Sequence, residues 1–198
     1  MSRPSRREDI LRAAEVVFAD KGFDAASMRN IADEAGVGLP LVVYHFETKL
    51  NLYRTIFEHH QHLNESRMRE LREIDVTAPD ALESAVSAFL RISSNSIDDD
   101  RVANYLTIVL REAGDPHAYD RDIMDTLFDP MAREFIATLM RIVPGKPEGF
   151  HEWAYLFAVG AHISTNVGER GRRIVGETGA QARLEYLHSF ICAGIRHG

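Results

Sequence analysis

Cysteine and tryptophan are nearly absent, with one of each in 198 residues. Cys192 has no second thiol to pair with, so no internal disulfide holds this fold, and a reducing compartment is the expectation. Long apolar runs are missing as well. None approaches the roughly 18 residues of a membrane-spanning helix, so no membrane partner is expected. Ser2–Asp9 is polar and charged, with no apolar segment of the kind a secretory leader carries, and the expected location is cytoplasmic. Alternating Val/Ile/Thr runs and Asn-Gly hairpin signals are lacking, which argues against strands. There is no phosphate-cradling G-x-x-x-x-G-K loop, G-x-G-x-x-G turn or G-x-S-x-G elbow. No cofactor and no enzymatic activity are called for.

An excess of basic charge is also missing. The chain carries 23 Lys and Arg against 30 Asp and Glu, for a net charge of −7. That excludes a protein that coats nucleic acid by bulk charge. The balance is uneven, however. Residues 1–54 hold eight basic and eight acidic side chains, so the whole deficit lies behind them. A neutral segment can still present a local basic face.

Helical signals fill the chain. Ser5 with Glu8 fits a capping box. Ile10, Ala13, Ala14, Val17 and Phe18 follow at helical spacing, and Lys21-Gly22 is a stop signal. Ser27 is a good N-cap for a short helix through Ala35. Gly36 ends that helix, and a third starts near Leu39 with Pro40 in its first turn, where the missing N–H costs nothing. Thr48 then caps a long helix from Lys49 to about Glu73. Pro79, Pro116, Pro144 and Pro147 punctuate the rest into helices near 79–97, 101–113, 120–142, 148–170 and 180–196. The expectation is an all-α chain of about nine helices.

The short helix, the turn Ala35-Gly36-Val37-Gly38 and the next short helix have the layout of a helix-turn-helix. The stretch "ILRAAEVVFADKGFDAASMRNIADEAGVG", continued by "VVYHFETKLNLY", resembles the N-terminal domain of the TetR (tetracycline-repressor) family over about residues 6–53. The resemblance implies two domains, residues 1–47 for DNA binding and 48–198 for effector binding and dimerisation. It implies a homodimer that binds a palindromic operator in double-stranded DNA and is released by a small molecule. Carried over residue by residue, Tyr44, His45 and Lys49 match phosphate contacts. Ser27 matches a helix cap near the DNA backbone, and Arg29 a backbone or base contact. A helix N-terminus such as that at Thr48 offers amides to phosphate. The recognition helix departs from the family pattern. Gly38, Leu39, Pro40 and Leu41 stand where polar residues are common, and Val43 stands where an aromatic is common. Leu39, Pro40 or Leu41 would meet thymine methyls in the major groove, with Arg29, DNA shape and the arm at Arg3 adding selectivity.

Other features carry two readings each. Tyr44 is either a phosphate contact or a core aromatic. His59 and His62 share a helix face, but a solvated face explains them better than metal, which needs more ligands than this. His151, His162 and Asn166 either line a pocket or are bonded core groups. Gly168–Arg173 reads as a basic helix end. Phe89, Tyr105, Phe128, Met131, Phe135, Trp153, Phe157 and His162 are candidate walls of an effector pocket, and their apolar character points to an uncharged or aromatic ligand. The helices 148–170 and 180–196 each carry two apolar stripes. Leu156, Gly160, Ile163 and Val167, with Tyr186 and Phe190, form the pair expected at a dimer interface. The rival reading is a small-molecule-binding protein or enzyme of the same fold that no longer reads an operator.

Overall fold

The computed structural model describes residues 5–95, 99–165, 173–176 and 178–198. Arg3, Asn166, Val167 and most of the basic run from Gly168 lie outside these residues. All elements among the described residues are helical: α1 Arg6–Ala25, α2 Met28–Glu34, α3 Leu39–Phe46, α4 Lys49–His59, α5 Gln61–Glu73, α6 Ala81–Phe89, α7 Arg91–Asn95, α8 Asp100–Gly114, α9 Asp129–Ile142, α10 Phe150–Ile163 and α11 Ala180–His197. A 3₁₀ turn at Ala118–Arg121 and a π-helical turn at Met124–Phe128 lead into α9. The expectation of an all-α chain holds.

The count exceeds nine because two expected helices are split. The long fourth helix is interrupted at His60, whose backbone (φ −95°, ψ 8°) leaves helical values. Its ring turns inward, stacks on Tyr105 at 4.2 Å and meets the Glu15 carboxylate at 3.0 Å. The helix expected over 79–97 breaks at Leu90 into α6 and α7. The cap signals are realised. Ser5, Ser27 and Thr48 accept from the amides of Glu8, Asn30 and Asn51, satisfying donors that a helix start leaves open. The stop at Gly22 appears as a break inside α1, where φ is +76°, a value glycine adopts without strain.

Two apolar clusters form the interior. The first joins α1, α2 and α3 through Ile10, Phe18, Ile31, Val42 and Phe46, and continues through Phe57 and Tyr105 to Phe128. The second is built from α5, α6, α9, α10 and α11, around Leu71, Phe89, Phe135, Ala158 and Ile191. The first cluster therefore runs from the N-terminal three helices into the body without a gap.

Buried polar groups pin the helices together, within the body and between it and the head. Glu15 on α1 is 1% exposed. Besides His60 it receives the Arg101 guanidinium of α8 at 2.7 Å, and Arg101 also reaches Glu8. Burial alone would raise the Glu8 carboxyl, but the Arg101 charge and hydrogen bond hold it below its usual range. A second junction places Glu112 of α8 against Tyr53 of α4 (3.0 Å) and Arg121 (2.9 Å). A third pair ties α7 to α10, Ser93 to His162 at 2.5 Å. Burial and then the Arg67 charge press His162 down to about 4, so its ring is neutral at pH 7.

Two stability predictions follow from these burials. Arg101→Ala leaves Glu15 buried with His60 alone and should cost about 2–3 kcal/mol in urea unfolding. Arg72→Ala, whose exposed guanidinium pairs with Glu134, should cost less than about 1 kcal/mol. Equal costs would remove the α1–α8 junction from the account. His162 has a folded pKa below its unfolded value near 6.5, so between those values the unfolded chain binds the extra proton. Stability from this group is therefore complete above about pH 6.5 and is lost as pH falls towards 4, by up to about 3 kcal/mol. Thermal unfolding of His162→Gln across that range should show a correspondingly shallower pH dependence than the wild type.

Candidate nucleic-acid interface and enclosed cavity

The head leaves three helix starts exposed, at Ser27, Gly38 and Thr48. Gly36 takes φ +63° and turns the chain from α2 into α3, while the Val37 amide closes on the Ala32 carbonyl at 3.0 Å. On α3 the helical period buries Val42 and Phe46 and leaves Pro40, Val43 and Tyr44 outward. Tyr44 is 79% exposed, so the core-aromatic alternative does not describe it. Gly38, Ser27, Arg29 and Thr48 are also exposed, and His45 is half-buried with its ring against Tyr44. Leu39 and Leu41 are half-buried and packed on the first cluster. Of the three apolar residues expected outward, Pro40 alone lies fully there. Val43, noted in the sequence only as a departure from the family pattern, shares that face, as its position in the helical period requires.

Lys49 has a different environment from the one its position implied. Its ammonium donates to the carbonyls of Phe23 (2.7 Å), Ala26 (3.1 Å) and Asp24 (3.3 Å), and lies 4.3 Å from the Phe23 ring centre. An ammonium has three N–H donors, and the end of α1 takes all three. Lys49 fastens α4 to α1 and has no donor left for phosphate in this arrangement.

The body encloses a cavity of about 60 Å³ among α5–α10 and the π turn. Phe89, Phe128, Met131 and His162, all expected in an effector pocket, line it. Arg67, Leu106, Val109, Met124, Tyr155 and Val159 line it too and were missed. The signal for Arg67 was available: Leu63, Asn64, Arg67 and Leu71 are the buried stripe of α5, so an arginine stands at a core position. Tyr105 and Phe135 are buried next to the cavity residues rather than among them. Phe135 stacks on Phe89 at 5.1 Å, and Tyr105 lies edge-on to Phe57. His151 is a bonded core group at another place, against the Val143 carbonyl.

Two pocket assignments are overturned. Trp153 is 59% exposed and Phe157 is 69% exposed; both point away from the cavity. The inward stripe of α10 is His151, Ala154, Ala158 and His162, one step out of phase with the stripe read from aromatic bulk. Trp153, Leu156, Phe157 and Gly160 share the outer face at i, i+3, i+4 and i+7. With Phe190 and Gly194 of α11 they border an open apolar groove of about 700 Å³. Tyr186 and Phe190 are exposed as expected for an interface. Ile163 is half-buried and approaches Gly114 of α8, so it does not belong to the outer stripe. His59 and His62 are both exposed, as a solvated face requires, with the His62 ring against the His59 carbonyl; among the described residues no group of three possible metal ligands gathers.

Similarity to known proteins matches this geometry. Residues 10–56 match the family model of bacterial regulatory proteins of the tetR family, and residues 83–194 match a tetracyclin repressor-like C-terminal domain. The chain is 38% identical over 89 residues to the transcriptional activator FasR of Mycolicibacterium smegmatis, covering 45% of this chain and 41% of that one. It is 32% identical over 104 residues to the transcriptional repressor BepR of Brucella suis biovar 1, covering 52% and 48%. The aligned region thus spans less than half of either curated relative. The fold resembles that of the regulator FadR from Bacillus subtilis, solved with stearoyl-CoA, with a TM-score of 0.67 at 17% identity over 94% of this chain and 97% of that one. Helix-turn-helix head, helical body and both matched segments agree, and the chain belongs to the TetR family.

Proposed function

We propose that this protein is a homodimeric transcriptional regulator that binds a palindromic operator and whose grip on DNA changes when a small molecule enters the body's cavity. The observation that carries this reading is the exposed face of the head. Pro40, Val43 and Tyr44 are exposed on α3, and the starts of α2 and α4 offer amides and hydroxyl caps that suit phosphate. Base reading at Pro40 and Val43 is apolar, by contact with thymine methyls. Ser27, Arg29, Tyr44, His45 and Thr48 serve the backbone, and Arg3, outside the described residues, is the remaining contact of this reading. The relatives include an activator and a repressor; a repressor relieved by its effector is the reading adopted here. Residues 1–47 are the DNA-binding unit and 48–198 the regulatory one.

The outer face of α10 and α11 is the proposed dimer contact. Trp153, Leu156, Phe157, Tyr186 and Phe190 expose more apolar surface than a solvated helix pair needs. Gly160 has open space where a side chain would stand, room for a partner helix to approach. Two copies joined here form a four-helix contact about a two-fold axis. The two α3 helices must then lie about 34–36 Å apart, or a multiple of this, to enter successive major grooves.

The rival reading, a ligand binder without an operator, draws on the sparse donors of α3. Salt titration of duplex binding separates the two. A DNA reader loses affinity with a slope of about 0.9 per phosphate contact, whereas the rival shows no such binding. Within the first reading, Arg29→Ala should lower that slope by about one unit. Lys49→Ala should leave the slope unchanged and instead destabilise the head by about 1 kcal/mol, since it unpairs the partly buried carbonyls of Phe23 and Ala26. A slope change in Lys49→Ala would return Lys49 to the phosphate contacts.

The dimer has its own readout. Gly160→Arg places a long charge where the partner would pack. Monomers by sedimentation are expected, with Trp153 emission shifted to the red and specific operator binding lost. A dimeric Gly160→Arg protein with unchanged emission would move the interface elsewhere.

A further inference from the structure

Among the described residues, the cavity holds a cation with no carboxylate paired to it. Arg67 is 4% exposed and lines the space between Phe89 and His162. Its guanidinium donates to the carbonyls of Phe89 (2.7 Å) and Ala88 (3.3 Å) and to the Asn64 amide oxygen (3.1 Å). These acceptors are the end of α6 and one side chain. They are dipoles, and they occupy three of five N–H donors. Among the described residues no carboxylate lies within ion-pair distance of Arg67; the nearby Glu70 is taken by Arg91 at 2.8 Å. Burial pulls the guanidinium down to about 10, which still leaves it charged at neutral pH.

The rest of the molecule treats buried charge differently. Glu15 is met by Arg101 and His60, and Glu112 by Arg121 and Tyr53. Isolated buried charge is costly unless it is paired, so Arg67 stands apart. Next to the cavity residues, the Tyr105 hydroxyl is buried and has no hydrogen-bond partner among the described residues, and the Arg67 charge acts on it. A helix-capping role accounts for the two carbonyl bonds. It does not account for the two donors left over, nor for a phenol with nothing to bond.

We propose that the cavity takes an amphiphilic monoanion, with its carboxylate held by Arg67 and its apolar chain lying along Phe89, Leu106, Val109, Phe128 and Met131. This replaces the uncharged ligand expected from the aromatic residues alone, and it rests on the reading of the body as an effector site. The present space of about 60 Å³ holds only a few heavy atoms. A longer chain needs the walls to part, and those facing it include the pliable side chains of Met124 and Met131 and the π turn, a helical form often found at functional sites.

The test uses the full-length protein without DNA. Octanoate and octan-1-ol, then dodecanoate and dodecan-1-ol, are titrated in a calorimeter. Each acid should bind at least about tenfold more tightly than its alcohol, the scale expected of a hydrogen bond to a charged group. Arg67→Met should bind acid and alcohol alike, and Arg67→Lys should keep part of the preference. Tyr105→Phe, which deletes one hydroxyl, should weaken the acid more than the alcohol and serves as the second variant if Arg67→Met does not fold. Equal binding of acid and alcohol to the wild type, binding of neither, or undiminished acid binding by a folded Arg67→Met overturns the assignment. Operator release is measured separately. An acid that binds through Arg67 yet leaves DNA affinity unchanged upholds the ligand class and sinks the regulatory reading. Release by an uncharged ligand, with no acid bound, does the reverse.

Discussion

Glu15 is the carboxylate around which the two halves of the molecule are arranged. It sits on α1, the longest helix of the head, yet its charge is answered entirely from elsewhere: by His60 at the break between α4 and α5, and by Arg101 at the start of α8. A buried charge admits few alternative arrangements, because moving either partner away leaves it unpaired in a poor solvent. Head and body are therefore held at a defined angle by geometry as well as by apolar contact. The break at His60 belongs to the same constraint. A straight helix from Lys49 to Glu73 would not bring that ring over Tyr105 and onto Glu15 as the split pair does.

The same break places the cavity one step from the head. The π turn that carries Met124 and Phe128 into the cavity is fastened from behind by α4 and α5. Arg54 donates to the Thr126 hydroxyl (3.4 Å), and Asn64 to the Leu127 carbonyl (3.2 Å). α4 in turn is fastened to the end of α1 through Lys49. A ligand that displaces Phe128 must either break these bonds or carry α4 with it. Coupling between two sites needs an element that both can bias, and α4 touches both. Lys49 is then more valuable as a strut than as a phosphate contact, since a strut transmits displacement to the whole head.

The sequence made the fold class and the head legible for physical reasons. Caps, the stop at Gly22 and the positive φ at Gly36 are local, so Ser27, Gly36 and Thr48 declare themselves without tertiary information. The α3 face is half legible: the helical period brings Val43 outward, whereas Leu39 and Leu41, which the family pattern puts in the groove, turn partly inward onto the first cluster. Lys49 could not be read, because its acceptors are carbonyls more than twenty residues earlier. The cavity was the least legible part. Trp153 and Phe157 are large and apolar, and size suggested burial. Large apolar residues on the outside are informative when they share a face, and only the phase of α10 against its neighbours reveals that they do.

That phase also explains why α10 matters more than its length suggests. Its inner side gives Tyr155, Val159 and His162 to the cavity. Its outer side gives Trp153, Leu156, Phe157 and Gly160 to the apolar groove. A helix of 14 residues packed on both sides cannot shift one face and keep the other still, because close-packed interiors pass displacement on rather than absorb it. In the proposed dimer, with a second copy seated in the groove, a change in the cavity would reach the partner through α10 and the head through α4. The separation of the two α3 helices would then depend on both routes, giving a ligand in the cavity two levers on the one distance that operator binding requires.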